Sequence, residues 1–276
     1  MSLPPILYHY FQVPLPYAPT LALQNLINGI QLAQKKKSKH KDYLLLLQHR
    51  PVFTAGRRQL EEEIKDDRLR LQRMGADFES TSRGGQLTYH GPGQIVGYPL
   101  IDLGRWRPAM SVRDYVCKVQ TTLKKHLLDA HGIETSSSEN TGVFADDGKI
   151  KLGSIGVEVR HRLTMHGFAL NVTREPLAWF DNIVACGLAD VRAGCIAGRS
   201  KTLREEKISG DGEISGLVKA FGDVFGREMF EMELEMGDEV SDAIAELELS
   251  IAQPLHRDSP PSPRPLIEDT GNPRQA

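Results

Sequence analysis

The stretch Ser80–Leu103, STSRGGQLTYHGPGQIVGYPLIDL, decides how this chain is read. It holds five glycines, two prolines, one arginine and one histidine, between runs that read as strands. Glycines usually come singly, in turns. A cluster of them beside an arginine and a histidine marks backbone that must come close to something else. Arg83 precedes Gly84 and Gly85, whose N–H groups can point at an anion or a carbonyl oxygen. A turn, a phosphate loop and a wall against a bound group all remain open at this point.

Outward from this block, Asp77 to Arg174 is a series of short β-like runs broken by glycine. One helix interrupts them, SVRDYVCKVQTTLKKHLLDAHG. Val112, Val116, Val119, Leu123 and Leu127 share one face of it, Ser111 caps its start and Gly132 ends it. VFADDGKIKLGSIGVEVR reads as a hairpin turning at Asp147-Gly148, and LTMHGFALNV as the next strand. Upstream, residues 19–34 place Leu21, Leu23, Leu26, Ile27, Ile30 and Leu32 at helical spacing. The run Lys35–Lys41 reads as a solvated loop, DYLLLLQH as a buried strand and RPVFTAGRR as a loop leaving the sheet. EEEIKDDRLRLQRMG is a charged surface helix, and residues 213–230 and 238–251 read as helices. Strands and helices mix without regular βαβ alternation, so the expected class is α+β with a mixed sheet. The domain is expected to span 1–251. Residues 252–276 carry six prolines and few large apolar residues, and are expected to form a disordered tail.

Composition narrows the function. A formal net charge of −2 gives no support to nucleic-acid binding. No apolar run reaches the ~20 residues that span a bilayer. The N-terminus shows neither a signal peptide nor an Arg-rich transit peptide: the first lysine is Lys35 and the first arginine Arg50. Three cysteines, without a C-x-x-C pair, suggest neither a disulfide framework nor a zinc site. There is no P-loop, no dinucleotide fingerprint, no H-E-x-x-H and no G-x-S-x-G. Cys186, followed by Gly187, is either a nucleophile or a small buried hydrophobe. Cys117 reads as structural. Lys149 and Lys151 alternate on one strand face, and the simpler expectation turns both to solvent. His90 and His166 each precede glycine and are open to use as a base, a ligand or a polar core residue.

Taken together and in order, these pieces resemble the lipoyl(octanoyl) transferases. The matching segments are HRPVFTAGRR from His49, RGGQLTYHGPGQIVGYPLIDL from Arg83, TGVF at Thr141, KLGSIGV from Lys151, HGFALNV from His166 and IVACGL around Cys186. The resemblance implies a mixed β-sheet with outer helices, shared with lipoate and biotin protein ligases. It implies Cys186 as nucleophile and Lys151, which opens K-x-x-I-G, as its activator. It implies a substrate wall made by Arg83, Gly84, Gly85, Gln86, Leu87, Thr88, Tyr89 and His90, by Ser154, Ile155 and Gly156, and by Gly167, Phe168 and Ala169. Octanoyl would pass from octanoyl-acyl carrier protein to a lysine of lipoyl domains, in 2-oxoacid dehydrogenase E2 subunits and glycine-cleavage H protein. Neither ATP nor a metal is expected, because the donor is already a thioester. The resemblance also implies the mitochondrial matrix, or the cytosol if the protein is bacterial. The competing readings are an ATP-dependent lipoate–protein ligase and a non-catalytic homologue that binds lipoyl domains or the carrier protein.

Overall fold

The computed structural model describes residues 3–183 and 190–252. In chain order the elements are β1 (Ile6–Tyr10), α1 (Tyr17–Lys35), β2 (Asp42–Leu47), β3 (Val52–Ala55), α2 (Glu61–Arg73), β4 (Asp77–Ser80), β5 (Thr88–His90), β6 (Gln94–Leu100), α3 (Val112–His131), β7 (Val143–Ala145), β8 (Ile150–Arg160), β9 (Leu163–Asn171), α4 (Glu175–Phe180), β10 (Arg192–Ala193), α5 (Gly210–Phe225), β11 (Met229–Glu231) and α6 (Glu239–Ala252). The main sheet runs β10-β8-β9-β6-β2-β1-β11, with β7 also paired to β8. Its β6–β9–β8 centre is antiparallel, whereas β1 lies parallel to both β2 and β11. A smaller sheet orders β4-β3-β5.

Strand periodicity explains the layers. On β2, Leu44 and Leu46 enter one core while Tyr43, Leu45 and Leu47 enter another, so DYLLLL is buried on both faces. The first core is closed by α3 and α5, through Tyr115, Val119, Leu123, Leu217 and Phe221. The second is closed by α1 and α6, through Leu23, Ile27, Val240 and Ile244. A third cluster, with Phe53, Ile64, Leu71, Tyr89 and Trp179, fills the space between the small sheet, α2 and α4. No helix among the described residues is long and apolar enough to cross a membrane.

Several expectations change. RPVFTAGRR is not simply a loop: Val52–Ala55 is the middle strand of the small sheet and is fully buried. The buried face of α1 is Tyr17, Thr20, Leu23, Gln24, Ile27 and Gln31, while Leu26 and Leu32 face solvent. The glutamines belong to it because their amides satisfy backbone: Gln24 Oε1 accepts from His166 N, and Gln31 Nε2 donates to Leu100 O. On α3, Val112 is exposed, whereas His126 and His131 are buried with Val119, Leu123 and Leu127. Residues 226–230 are not helical. Gly226 is left-handed at φ 64° and ends α5, and Met229 opens β11. The lysine run is not uniformly solvated: Lys35 Nζ (2.7 Å) and the buried His40 Nε2 (2.9 Å) both meet the Asp102 carboxylate. Ser111, Gly132 and the Asp147-Gly148 turn do what their types predict.

Candidate active site

The glycine-rich block folds into the seam between the two sheets. Arg83 is buried, and its guanidinium is spent on backbone: Nη2 donates to Thr54 O (2.5 Å) and Gln86 O (2.9 Å), and also to Thr54 Oγ1 (2.7 Å). These bonds hold the 83–86 loop in shape, and Gly84 N ties it to β8 through Val157 O at 3.0 Å. The loop passes so close to its neighbours that a Cβ on Gly56 would lie 2.4 Å from Gly85 O. Gly156 pairs with Gly167 across β8 and β9. A Cβ on Gly167 would lie 2.1 Å from Gly97 O.

These close approaches frame a narrow, partly open cavity. Arg83, Gly84, Gly85, Thr88 and His90 line it from the block, Ser154, Ile155 and Gly156 from β8, and Gly167, Phe168 and Ala169 from β9. All eleven were expected there from the resemblance. Tyr17, Val96, Tyr98 and His166 complete the wall. Tyr17 opens α1, and nothing local in its sequence marks it; Val96 and Tyr98 follow from the alternation of β6 once one face is placed.

Gln86, Leu87 and Tyr89 do not line this cavity. Gln86 and Leu87 turn to a separate hollow with Gln59, Asp67, Arg70, Asp181, Asn182 and Ile183. Tyr89 is fully buried in the third core, stacked on Trp179 at 5.2 Å and tilted against Phe53. Strand alternation is the reason: on β5, Thr88 and His90 face the cavity, so Tyr89 must face away.

His90 and His166 line the cavity, the His49 ring lies 5.9 Å from the His90 ring, and burial is the leading cause that keeps each of the three neutral. It takes His49 to about 4. Burial, the His49 ring and Arg83 take His90 to about 3. Burial and Arg83 take His166 to about 4. His49 accepts from the Tyr98 hydroxyl at Nε2 (2.6 Å) and donates from Nδ1 to Leu15 O (3.0 Å). His166 has φ 56°, a left-handed conformation unusual for a side chain inside a strand. Burial also pushes the Tyr17 hydroxyl up to about 12. The wall presents mostly apolar surface, and Arg83 is the one Lys, Arg, Asp or Glu among the described residues that line it.

Lys151 sits on β8, three residues before Ser154. Contrary to the solvent-facing expectation it is buried, while Lys149 in the preceding turn is exposed. Its ammonium lies 5.5 Å from the Phe144 ring centroid. Its stem packs so tightly on Gly142 that a Cβ there would be 2.8 Å from Lys151 Cε. Cys186 lies outside the described residues. The chain returns on β10, where Ala193 pairs with Lys151. Cys195 is buried, and burial pushes its thiol up despite Arg174, so it is a poor nucleophile. Cys117, expected to be structural, is exposed on α3.

One buried cluster lies outside the cavity. Glu213 Oε2 accepts from His126 Nε2 at 2.6 Å and from His131 Nε2 at 2.7 Å. The trio has the donor set of a zinc site. Ligands ~2.0–2.1 Å from a tetrahedral metal stand roughly 3.3 Å apart, however, so these spacings are those of hydrogen bonds. The cluster clasps α3 to α5.

The comparisons agree with this geometry. The sequence matches the model of the lipoyl protein ligase A/B catalytic domain over residues 16–206. It is 42% identical over 182 residues to a zebrafish (Danio rerio) protein named octanoyl-acyl-carrier-protein:protein N-octanoyltransferase LIPT2, mitochondrial, covering 66% of this chain and 76% of that one. It is 38% identical over 212 residues to the octanoyltransferase of Caldicellulosiruptor saccharolyticus, covering 76% of this chain and 85% of that one. Among solved structures, the bi-partite lipoate protein ligase from Thermoplasma acidophilum superposes with a TM-score of 0.58 at 15% identity, over 90% of this chain and 92% of that one. That likeness speaks for the fold. The chain belongs to the lipoyl protein ligase A/B catalytic-domain family and, within it, to the octanoyltransferases, which are acyltransferases.

Proposed function

We propose that the protein moves octanoyl from octanoyl-acyl carrier protein to a lysine of lipoyl domains, through a thioester on Cys186. The observation that carries this reading is the glycine-walled cavity, three of whose lining residues lie on β8, the strand that also carries the buried Lys151. Gly84, Gly85, Gly156 and Gly167 line the cavity without side chains, so that backbone itself forms that part of the wall. Backbone donors aimed at a developing oxyanion are worth about 3 kcal/mol each in acyl transfer.

In the first step the Cys186 thiolate attacks the carrier thioester. A carbon–sulfur bond forms, the other breaks, and the carrier thiol leaves. Lys151 supports the thiolate as a neighbouring cation. In the second step a lysine amine of the acceptor domain attacks, the amide forms and Cys186 is released. A thioester donor supplies the driving force, so neither ATP nor a metal is required. The proposed acceptors are the lipoyl domains of 2-oxoacid dehydrogenase E2 subunits and of glycine-cleavage H protein. The proposed compartment is the mitochondrial matrix, supported by the name of the zebrafish relative; bacterial relatives support the cytosol. The catalytic unit is proposed to be 1–251, with 252–276 as an appended tail.

Intact-mass spectrometry after mixing with octanoyl-acyl carrier protein tests this. The expected result is one octanoyl adduct, mapped to Cys186 and absent in Cys186→Ser. Transfer from free octanoate that requires ATP would instead support a ligase, the activity printed for the fold's solved relatives. Carrier binding without an adduct would support a non-catalytic homologue.

A further inference from the structure

The hydrogen bonds that run from His90 away from the cavity have one permitted direction. Asn171 Nδ2 donates to Gly194 O at 2.8 Å. A backbone carbonyl only accepts, so Asn171 turns Oδ1 the other way, where Gln94 Nε2 donates to it at 2.9 Å. The second Gln94 Nε2 hydrogen points at another backbone carbonyl, Tyr89 O, at 3.3 Å. Two carbonyls thus orient both amides without reference to the histidine. Gln94 Oε1 is left facing His90 Nδ1 at 2.7 Å. It has no proton to give, so His90 Nδ1 carries one. The ring lines the cavity, and among the described residues its hydrogen bonding is through Nδ1 alone. Nε2 of the neutral ring is therefore a bare acceptor.

The local sequence builds this arrangement. In His90-Gly-Pro-Gly-Gln94 the chain reverses, with Gln94 N bonded to Gly91 O at 3.2 Å. Gly93 takes φ 82°, and a Cβ there would strike Thr173 Oγ1 at 2.2 Å. The reversal returns Gln94 beneath the ring and sets it opposite Asn171 in the β6–β9 register. All three side chains are buried.

We propose that Gln94 and Asn171 are positioning residues that hold His90 as a fixed Nε2 acceptor for an N–H of the amine that receives the acyl chain. The proposal rests on the reading that the acceptor is a lysine amine. The amine lone pair forms the N–C bond, and the C–S bond breaks with its electron pair going to Cys186 sulfur. The proton released by nitrogen ends on that sulfur. His90 neither takes nor gives a proton. A ring this hard to protonate holds an N–H without removing its hydrogen, and so aims the nitrogen lone pair at the carbonyl.

The first test needs no substrate. Long-range ¹H–¹⁵N NMR of the histidine-labelled full chain should show the His90 ring, assigned by its loss in His90→Gln, with Nδ1 protonated and Nε2 bare from about pH 8 to about pH 5. An Nε2–H tautomer, or an imidazolium in that range, overturns the proposal. The second test is single-turnover transfer from preformed octanoyl-enzyme to a lipoyl domain. Gln94→Leu releases the tautomer and should slow this step about tenfold, the worth of one hydrogen bond, with acyl-enzyme formation unchanged. Gln94→Glu keeps an acceptor at Nδ1 but adds a carboxylate, which favours the imidazolium and makes Nε2 a donor. Its transfer rate should fall at neutral pH and recover as pH rises. A wild-type rate in a variant whose tautomer or charge has changed overturns the proposal. If no octanoyl-enzyme forms even in the wild type, the acyl-transfer reading fails while the tautomer result stands separately.

Discussion

Glu213 offers a sharp energetic test, because one buried carboxylate oxygen serves two buried imidazoles at 2.6 and 2.7 Å. Glu213→Ala removes two hydrogen bonds to a charged acceptor, each worth about 1.5–3 kcal/mol, and strands both donors. The expected loss is about 4 kcal/mol. Urea unfolding at neutral pH reads it: with a slope near 2 kcal/mol per molar, the midpoint should fall by about 2 M. Acid titration supplies an independent arm. Burial pushes the Glu213 carboxyl up, but the hydrogen bonds from His126 and His131 outweigh it and hold it at about 2, against an ordinary 4.5. A depressed carboxyl contributes stability that is complete above its unfolded value and is lost as pH falls through its folded one. Wild type should therefore lose about 3 kcal/mol from this group between about pH 4.5 and about pH 2, and Glu213→Ala should lack that component. A destabilisation below about 1 kcal/mol, or identical acid slopes in the two proteins, would refute the clasp.

Three further outcomes follow from the packing. Tyr89→Phe should leave octanoyl transfer unchanged and stabilise the fold by about 1 kcal/mol, because the Tyr89 hydroxyl is buried with no hydrogen-bond partner among the described residues; slower transfer would return Tyr89 to the reacting groups. Gly167→Ala sets a methyl 2.1 Å from Gly97 O and 2.6 Å from Pro99 Cδ, so β6 and β9 must separate; chemical unfolding should show a loss of about 3 kcal/mol, and a loss under 1 would contradict the register. His49 and His166, at about 4, take protons in the unfolded chain before they do in the fold. Stability should therefore fall as pH drops from about 6.5 towards about 4, by about 1.4 kcal/mol per pH unit for each ring, and calorimetry of His166→Gln should show a shallower decline.

The α+β class, both helix caps on α3, the Asp-Gly turn and the family are all legible in the order of residues along the chain. So is most of the cavity wall, because close backbone approach demands glycine and glycine is visible in one dimension. Period-2 alternation further excludes Tyr89 from a wall that holds Thr88 and His90, once the face is known. The face itself is a tertiary matter. Lys149 and Lys151 have the same local pattern, and only packing against Phe144 and Gly142 buries the second. Gln24 and Gln31 look like breaks in an apolar stripe until the backbone groups they satisfy arrive from strands far along the chain. His126, His131 and Glu213 are unremarkable in sequence, since the clasp joins helices some 80 residues apart, with sequence separations of 87 and 82. The same holds for His90: HGPGQ announces a tight reversal, but the proton on its ring is set by carbonyls at Tyr89 and Gly194, and the second comes within reach only when β6, β9 and β10 assemble. Spacing along the chain fixes which groups a segment offers; which of them lose water, and therefore must find a partner, is decided by the fold.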